Sequence, residues 1–148
     1  MRVSCILLVY ALTYVAVPSL SLYPLRASDE LLSILFYKED VQASSLAPTE
    51  IEDIDKVITK QFSAISNSLQ LLDSITATDY HYQLVTVLNS ANEKLVLVNA
   101  VSKHLPKWTL LEVGTDLVQL KCVGDQLFCF TVNLSTGSCS EPFKAECN

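Results

Sequence analysis

The chain has 148 residues, 50% of them hydrophobic, and its sixteen acidic residues outnumber ten basic ones, which gives a net charge of −6. Nucleic acids and anionic lipid surfaces both bind proteins through clustered Lys and Arg side chains. The acidic composition therefore argues against nucleic acid as a partner. Beyond the N-terminal run, no window holds 18 apolar residues, so no membrane span is predicted there.

The N terminus has the pattern of a secretory signal peptide. A single basic residue precedes the apolar run Cys5–Val17, which matches an h-region of about 7–15 residues and is too short to span a bilayer. Ser19-Leu20-Ser21 places small residues at positions −3 and −1 of a cut before Leu22. We therefore predict that residues 1–21 are a signal peptide and that the mature protein is secreted and extracellular.

Residues 22–47 form an N-terminal segment, in which a short helix is predicted from Asp29 to Val41. Ser28 is a residue type that caps helices well. Apolar side chains supply one edge of this helix: Leu31, Leu32, Leu35 and Phe36. The stretch from Gln42 to Pro48 is interpreted as a linker. A disulfide-stabilised globular domain is predicted for residues 48–148.

The clearest helix is predicted from Pro48 to Ser74. Its apolar residues recur at steps of three and four, which places them on one stripe of an α-helix. The stripe consists of Ile51, Ile54, Val57, Ile58, Phe62, Ile65, Leu69 and Leu72. Proline suits the first turn of a helix, and acidic residues there complement the helix dipole. The stripe requires an apolar partner surface elsewhere in the chain.

The segment from Thr78 to His104 has two interpretations. As strands, residues 80–87 alternate on two faces and residues 95–98 form a second β-rich run, with a turn at residues 89–92. As a helix, Leu84, Leu88 and Leu95 lie at heptad-like spacing. The density of Val and Tyr favours strands.

Three β-rich runs follow Pro106, namely Trp108–Val113, Leu117–Val123 and Leu127–Leu134. Gly and Asp between them are hairpin signals. The last two runs are predicted to pair around Gly124-Asp125. Phe128 and Phe130 would then lie on one face of the sheet and pack against the long helix.

Four cysteines remain after removal of the leader: Cys122, Cys129, Cys139 and Cys147. An even number of cysteines in an exported chain predicts disulfides, and the spacings typical of zinc sites are absent. Pairing of neighbours, Cys122 with Cys129 and Cys139 with Cys147, suits the predicted hairpin. The crossed pairing, Cys122 with Cys139 and Cys129 with Cys147, stays open. No metal site is predicted.

The sequon Asn133-Leu134-Ser135 lies at the end of a predicted strand, where a glycan on Asn133 has room. The chain offers little for catalysis. Its histidines are His81 and His104, no GxSxG motif surrounds a serine, and three glycines cannot build a phosphate-binding loop. We therefore predict a non-enzymatic glycoprotein without a cofactor.

The order of these elements, together with the fragment Gln83-Leu84-Val85-Thr86-Val87, resembles the secreted cystatin-like superfamily over residues 49–148. The fragment is similar to the inhibitory QxVxG loop of that family, with Val87 in the position of its glycine. The resemblance implies an α+β fold in which one long helix packs on an antiparallel sheet of about four strands. It also implies an inhibitory loop that contains Gln83, Val85 and Val87. The alternative architecture has two or three helices and a C-terminal disulfide-bonded hairpin.

The expected function is that of a secreted interaction protein. Its partner would be another secreted or cell-surface protein, and the resemblance implies a papain-like cysteine protease. Two alternatives are open: a secreted carrier of small hydrophobic ligands, for which abundant Leu, Ile and Val are suitable, and an effector or hormone-like ligand.

Overall fold

The computed structural model describes residues 20–37, 39–120 and 123–144. Its helices are α1 (Asp29–Leu35), α2 (Pro48–Leu69) and α3 (Lys107–Leu110). Its strands are β1 (Ser21–Leu25), β2 (Val41–Ala43), β3 (Tyr80–Asn89), β4 (Lys94–Ser102), β5 (Leu127–Asn133), β6 (Ser138–Cys139) and β7 (Phe143–Lys144). Short 3₁₀ turns at Ala77–Asp79 and Gly124–Gln126 precede β3 and β5.

These seven strands form one mixed sheet in the order β1-β3-β4-β5-β6, with β2 also on β3 and β7 also on β5. β1 runs parallel to β3, and every other pairing is antiparallel. An α+β fold with one long helix is confirmed. The expectation of about four strands is wrong, because short strands of two to five residues extend the sheet at both edges.

The segment from Thr78 to His104 is a β-hairpin, so the strand interpretation is confirmed and the helical one is wrong. β3 and β4 pair over nine residues from Tyr80↔Ser102 to Leu88↔Lys94. The chain reverses after Asn89, whose side-chain oxygen accepts hydrogen bonds from the amides of Ala91 and Glu93. The Val-rich and Tyr-rich composition decides for strands because branched and aromatic side chains pack well on a pleated surface.

Helix α2 covers one face of the sheet. Its buried apolar residues Ile54, Ile58, Phe62 and Ile65 belong to one cluster with the inward side chains of β3, β4 and β5. Phe128 and Phe130 lie in that cluster, which confirms their predicted contact with the long helix. The helix ends earlier than predicted, at Leu69, because Gln70 adopts a left-handed conformation with φ 54°.

The opposite face of the sheet is covered as well, by α1 and by the segment 103–120. Leu32 and Phe36 of the α1 region cluster with Val85 of β3. Val113 and Val118 of the segment 103–120 cluster with buried residues at the ends of β4 and β5. A sheet buried on both faces needs apolar residues on both faces. This explains why β3 lacks the simple alternation of a half-exposed strand.

The N-terminal segment is part of the sheet. Ser28 caps α1 as predicted, since its side chain accepts a hydrogen bond from the amide of Leu31 at 3.2 Å. The predicted helix to Val41 is too long, because α1 ends at Leu35 and Val41 begins β2. Both β1 and β2 pair with β3, so residues 21–25 and 41–43 are docked on the domain.

Two of the three predicted β-rich runs after Pro106 are wrong over the residues that the structure describes, and Lys121 and Cys122 of the second run lie outside them. Lys107–Leu110 is a short helix that follows a proline, a residue suited to helix starts because it lacks an N–H. Residues 117–120 lie across the face of the sheet and do not pair with β5 as a strand. The third run is confirmed as β5, which pairs with β4.

Charged side chains fix the start of α2 and the approach to β3. The Glu50 carboxylate accepts hydrogen bonds from Lys94 at 2.8 Å and from the Ala47 amide at 2.7 Å, which hold its pKa below the ordinary value. The amide and hydroxyl of Thr76 similarly lower the pKa of Asp79.

Among the described residues, no helix is both long and apolar enough to cross a bilayer.

Candidate functional site

The fragment resembling an inhibitory loop lies in the middle of β3. Gln83, Val85 and Val87 each have no exposed surface. β3 is an interior strand, with β1 and β2 on one side and β4 on the other. These side chains point to the face covered by α1 and the segment 103–120. In this fold they are not accessible to the active-site cleft of a protease.

Gln83 instead organises a buried polar network. Its amide nitrogen donates to the carbonyl oxygens of Val113 at 2.8 Å and Asp116 at 2.6 Å. Its amide oxygen accepts from the Val118 N–H at 2.8 Å and from the Asn99 side chain at 2.9 Å. The Gln83 amide thus satisfies backbone groups that would otherwise need a neighbouring strand, and it holds the segment 103–120 against the sheet.

Asn99 of β4 extends this network towards β5. It lies directly opposite Gln83 in the sheet register and donates to the Val118 carbonyl at 2.9 Å. The Cys129 thiol donates to the Asn99 side-chain oxygen at 3.0 Å. Burial raises the pKa of Cys129 to about 12. In its reduced form the Cys129 thiol is therefore protonated at neutral pH and is a poor nucleophile.

An apolar groove opens beside this network, on the sheet face opposite α2, with a volume of about 390 Å³. We call it the apolar groove. Three parts of the fold supply its walls: α1, the segment 103–120, and the strands β4, β5 and β7. Its lining residues are Ile34, Leu35, Leu97, Asn99, Leu117, Val118, Gln119, Leu120, Leu127, Cys129 and Phe143.

The lining of the apolar groove combines an apolar surface with a few polar groups. Ile34 and Phe143 at its rim are 59% and 57% exposed, which is high for such large apolar side chains. The polar groups at its wall are the amides of Asn99 and Gln119 and the thiol of Cys129. Small-molecule sites have this composition: a mainly apolar wall with a few polar groups that orient the ligand.

No protein-family model matches the chain, and no curated protein or solved structure matches it.

The predicted disulfide cysteines are only partly within the described residues. Cys122 and Cys147 lie outside them, and within the described part of the chain Cys129 and Cys139 form no disulfide. Cys129 and Cys139 are on opposite faces of the sheet. Cys139 packs against the apolar cluster that contains the buried residues of α2, and Cys129 packs against the cluster that contains Leu32 of α1. They cannot bond to each other without disrupting the sheet. The neighbour and crossed pairings both remain predictions.

Asn133 ends β5 and lies on the sheet face opposite α2. Its side-chain oxygen accepts a hydrogen bond from the Ser135 amide at 2.9 Å, which forms an Asx turn within the sequon. The residue is partly exposed. This geometry leaves the side chain at a surface turn, which is compatible with the predicted glycan.

The two histidines lie near the same end of the β3–β4 hairpin but have different surroundings. His81 stacks edge-on against Tyr23 with 5.4 Å between ring centroids, and burial, followed by the charge of Lys103, lowers its pKa. His104 lies at the rim of a separate cavity beside the end of β4. Within the described residues, no group of three His, Cys, Asp or Glu side chains is placed to hold a metal ion.

The sequence interpretation missed the apolar groove and the polar network beside it. One signal was available. Gln83 and Asn99 are polar interruptions in two apolar runs, and a hairpin with its turn at residues 89–92 places them opposite each other. Buried polar side chains that face each other normally have further hydrogen-bond partners. That signal indicates a segment crossing this face, but it does not indicate which one.

Proposed function

We propose that the protein is a secreted, non-enzymatic binding protein that carries a small apolar molecule in the apolar groove. The observation that carries this proposal is a cavity of about 390 Å³ with a mainly apolar wall. Small-molecule sites typically have volumes of about 300–1,000 Å³. The apolar leader at Cys5–Val17 supports export.

The position of the apolar groove also favours ligand binding. Its base is formed by Leu97, Leu127 and Cys129 on adjacent central strands, which gives the ligand a rigid floor. Its rim is formed by α1 and the segment 103–120, which are joined to the sheet mainly by side-chain packing and by the Gln83 network. A rigid floor with an adjustable rim can admit ligands of somewhat different shape.

A small ligand is favoured over a protease. The fragment expected to inhibit a protease is buried in β3, whereas the exposed apolar side chains Ile34 and Phe143 converge on the apolar groove. Removing such side chains from water by contact with a ligand stabilises the complex by about 25 cal/mol per Å² of apolar surface.

The test uses N-phenyl-1-naphthylamine, a neutral apolar probe that becomes fluorescent when it leaves water. We expect saturable one-to-one binding to the purified mature protein. Phe143→Ser and Ile34→Ser should each weaken binding about fivefold, which corresponds to roughly 1 kcal/mol of lost apolar contact. Leu111→Ser is the matched control, because Leu111 is 82% exposed and does not line the groove.

Two outcomes would contradict the proposal. The first is absence of saturable probe binding to the folded protein. The second is binding that Phe143→Ser and Ile34→Ser leave unchanged relative to Leu111→Ser. A parallel titration against papain tests the inhibitory function separately. We expect no inhibition at micromolar concentrations, because Gln83, Val85 and Val87 are buried.

A further inference from the structure

The residue before β1 is built into the core of the domain. Leu20 is only 7% exposed and belongs to the same apolar cluster as Ile54 and Ile58 of α2. Its backbone nitrogen lies 3.0 Å from the Asp55 Oδ2 atom. The next residue, Ser21, starts the parallel pairing of β1 with β3 opposite His81. Leu20 and Ser21 are therefore structural parts of the folded domain.

Asp55 is unusual in its position. It lies on the buried side of α2 between Ile54 and Ile58, and it is 7% exposed. Its Oδ1 atom accepts a hydrogen bond from the Thr59 hydroxyl at 3.4 Å. Its charge also contributes, after burial and other charges, to the raised pKa of Tyr82. A carboxylate at such a site is costly to bury unless an opposite charge and hydrogen bonds compensate it.

A cut before Leu22 conflicts with this arrangement. It would remove the buried Leu20 side chain, the hydrogen bond to Asp55 and the first pairing of β1. A cut two residues earlier, before Leu20, retains all three. That cut has Ser19 at position −1 and Val17 at position −3, and the small residue at −1 meets the requirement of a signal peptidase.

We infer that the leader is removed between Ser19 and Leu20, and that the new α-ammonium group of Leu20 forms a buried ion pair with Asp55. Hydrolysis adds one water molecule across the Ser19–Leu20 peptide bond. The C–N bond breaks, Ser19 leaves as a carboxylate, and the Leu20 amine takes up the proton. The nitrogen that donates to Asp55 as an uncharged amide thereby becomes a cation. Processing would thus convert a hydrogen bond between a neutral amide and a carboxylate into an ion pair between two opposite charges.

This inference rests on the proposed export. N-terminal sequencing of the protein made in a eukaryotic host distinguishes failure of the inferred cut from failure of export. Export with Leu20 as the first residue is the expected result. Export with Leu22 or another first residue overturns the inferred cut and leaves export intact. A chain retained in the cells with its leader attached overturns both.

The ion pair is tested by the pKa of the Leu20 amine, followed by NMR on protein labelled with ¹⁵N at Leu20. A free α-amino group titrates at about 7.7–8.0, and a nearby carboxylate raises that pKa by about one unit or more. We expect this rise in the wild-type protein and in Asp53→Asn, because Asp53 is an exposed residue of the same helix that pairs with Lys56. In Asp55→Asn the rise should disappear. An amine pKa that is equal in Asp55→Asn and wild type overturns the ion pair.

Asp55→Asn could fail to fold, so chains that keep Asp55 provide a second measurement. Three chains that begin at Ser19, Leu20 and Leu22 are compared by urea denaturation. The chain that begins at Leu20 should have the highest midpoint, because only it places an ammonium group at the carboxylate. The chain that begins at Leu22 should have the lowest, because it also lacks the buried leucine. Equal midpoints for the Ser19 and Leu20 chains would overturn the ion pair.

Discussion

Replacing Gln83 by leucine removes the hydrogen bonds that hold the segment 103–120 on the sheet while keeping a side chain of similar size. The Gln83 amide makes four hydrogen bonds of 2.6–2.9 Å, of which three are buried and the one to the Asp116 carbonyl is partly buried. Three of these partners are backbone groups of the segment, and the fourth is the Asn99 side chain. Leucine can replace the packing of Gln83 but none of these bonds.

The expected loss in the free energy of unfolding is about 3–4 kcal/mol. Each internal hydrogen bond contributes about 1 kcal/mol net, so four bonds give roughly 4 kcal/mol. The more apolar leucine side chain offsets part of this loss when it is buried. The total stability of a domain of this size is about 5–15 kcal/mol, so the variant should still fold.

Urea denaturation followed by far-UV circular dichroism measures the loss. Gln42→Leu is the matched control, since Gln42 is exposed on β2, and its effect should be within about 0.5 kcal/mol. Hydrogen exchange of the Val118 amide should accelerate in Gln83→Leu, because that N–H loses its acceptor. A loss below about 1 kcal/mol, with unchanged exchange at Val118, would refute the role of the network.

Three further predictions concern acid, the glycan and the disulfides. Glu50 and Asp79 have pKa values in the folded protein below their ordinary values of 4.5 and 3.8. Their contribution to the free energy of unfolding is therefore complete at pH values above the ordinary pKa values, and it is lost as the pH falls through the lower pKa values of the folded protein. Urea midpoints should therefore fall from about pH 6 to about pH 3, and less steeply in the Glu50→Gln/Asp79→Asn double variant. A glycan on Asn133 predicts that the secreted protein loses mass on treatment with an N-glycosidase, and that Ser135→Ala abolishes this loss. Equal masses before and after treatment would count against the glycan. Nonreducing peptide mapping should find no bond between Cys129 and Cys139, because they lie on opposite sheet faces, and detection of that bond would contradict the strand register.

The position of the apolar groove has a consequence for the disulfides. Cys129 lines the groove and is the predicted partner of Cys122 or of Cys147. A bond to Cys122 would join the floor of the groove to the chain just after the groove residue Leu120. A bond to Cys147 would join it to the chain just after the groove residue Phe143. Removal of the bond should therefore affect probe binding as well as stability, whichever of the two pairings is present.

Local signals in the sequence were sufficient for the elements whose stability is mainly local or strongly periodic. The apolar stripe of α2 predicted both the helix and its contact with Phe128 and Phe130. Ser28 predicted the start of α1, because an N-cap hydrogen bond involves only residues three positions apart. The β3–β4 hairpin followed from dense β-branched and aromatic residues and a polar turn between them.

The edge strands and the segment 103–120 could not be predicted in the same way. β6 and β7 have two residues each, too few to show a periodic pattern, and they are strands only because β5 offers them a free edge. Residues 117–120 have the composition of a strand, but the side chains of Gln83 on β3 and Asn99 on β4 satisfy the backbone N–H and C=O of Val118 in place of a partner strand. Contacts between distant residues decided both cases.

The sequence by itself determined an α+β domain with one long amphipathic helix and a central hairpin, because helix and strand periodicities are recorded in neighbouring residues. Only the tertiary structure decided that Gln83, Val85 and Val87 are buried, that the sheet is covered on both faces, and that an apolar groove lies beside the Gln83 network. These features depend on which segment crosses which face of the sheet. That choice is made by contacts between residues more than 30 positions apart, such as the hydrogen bond from the Val118 N–H to the Gln83 side chain.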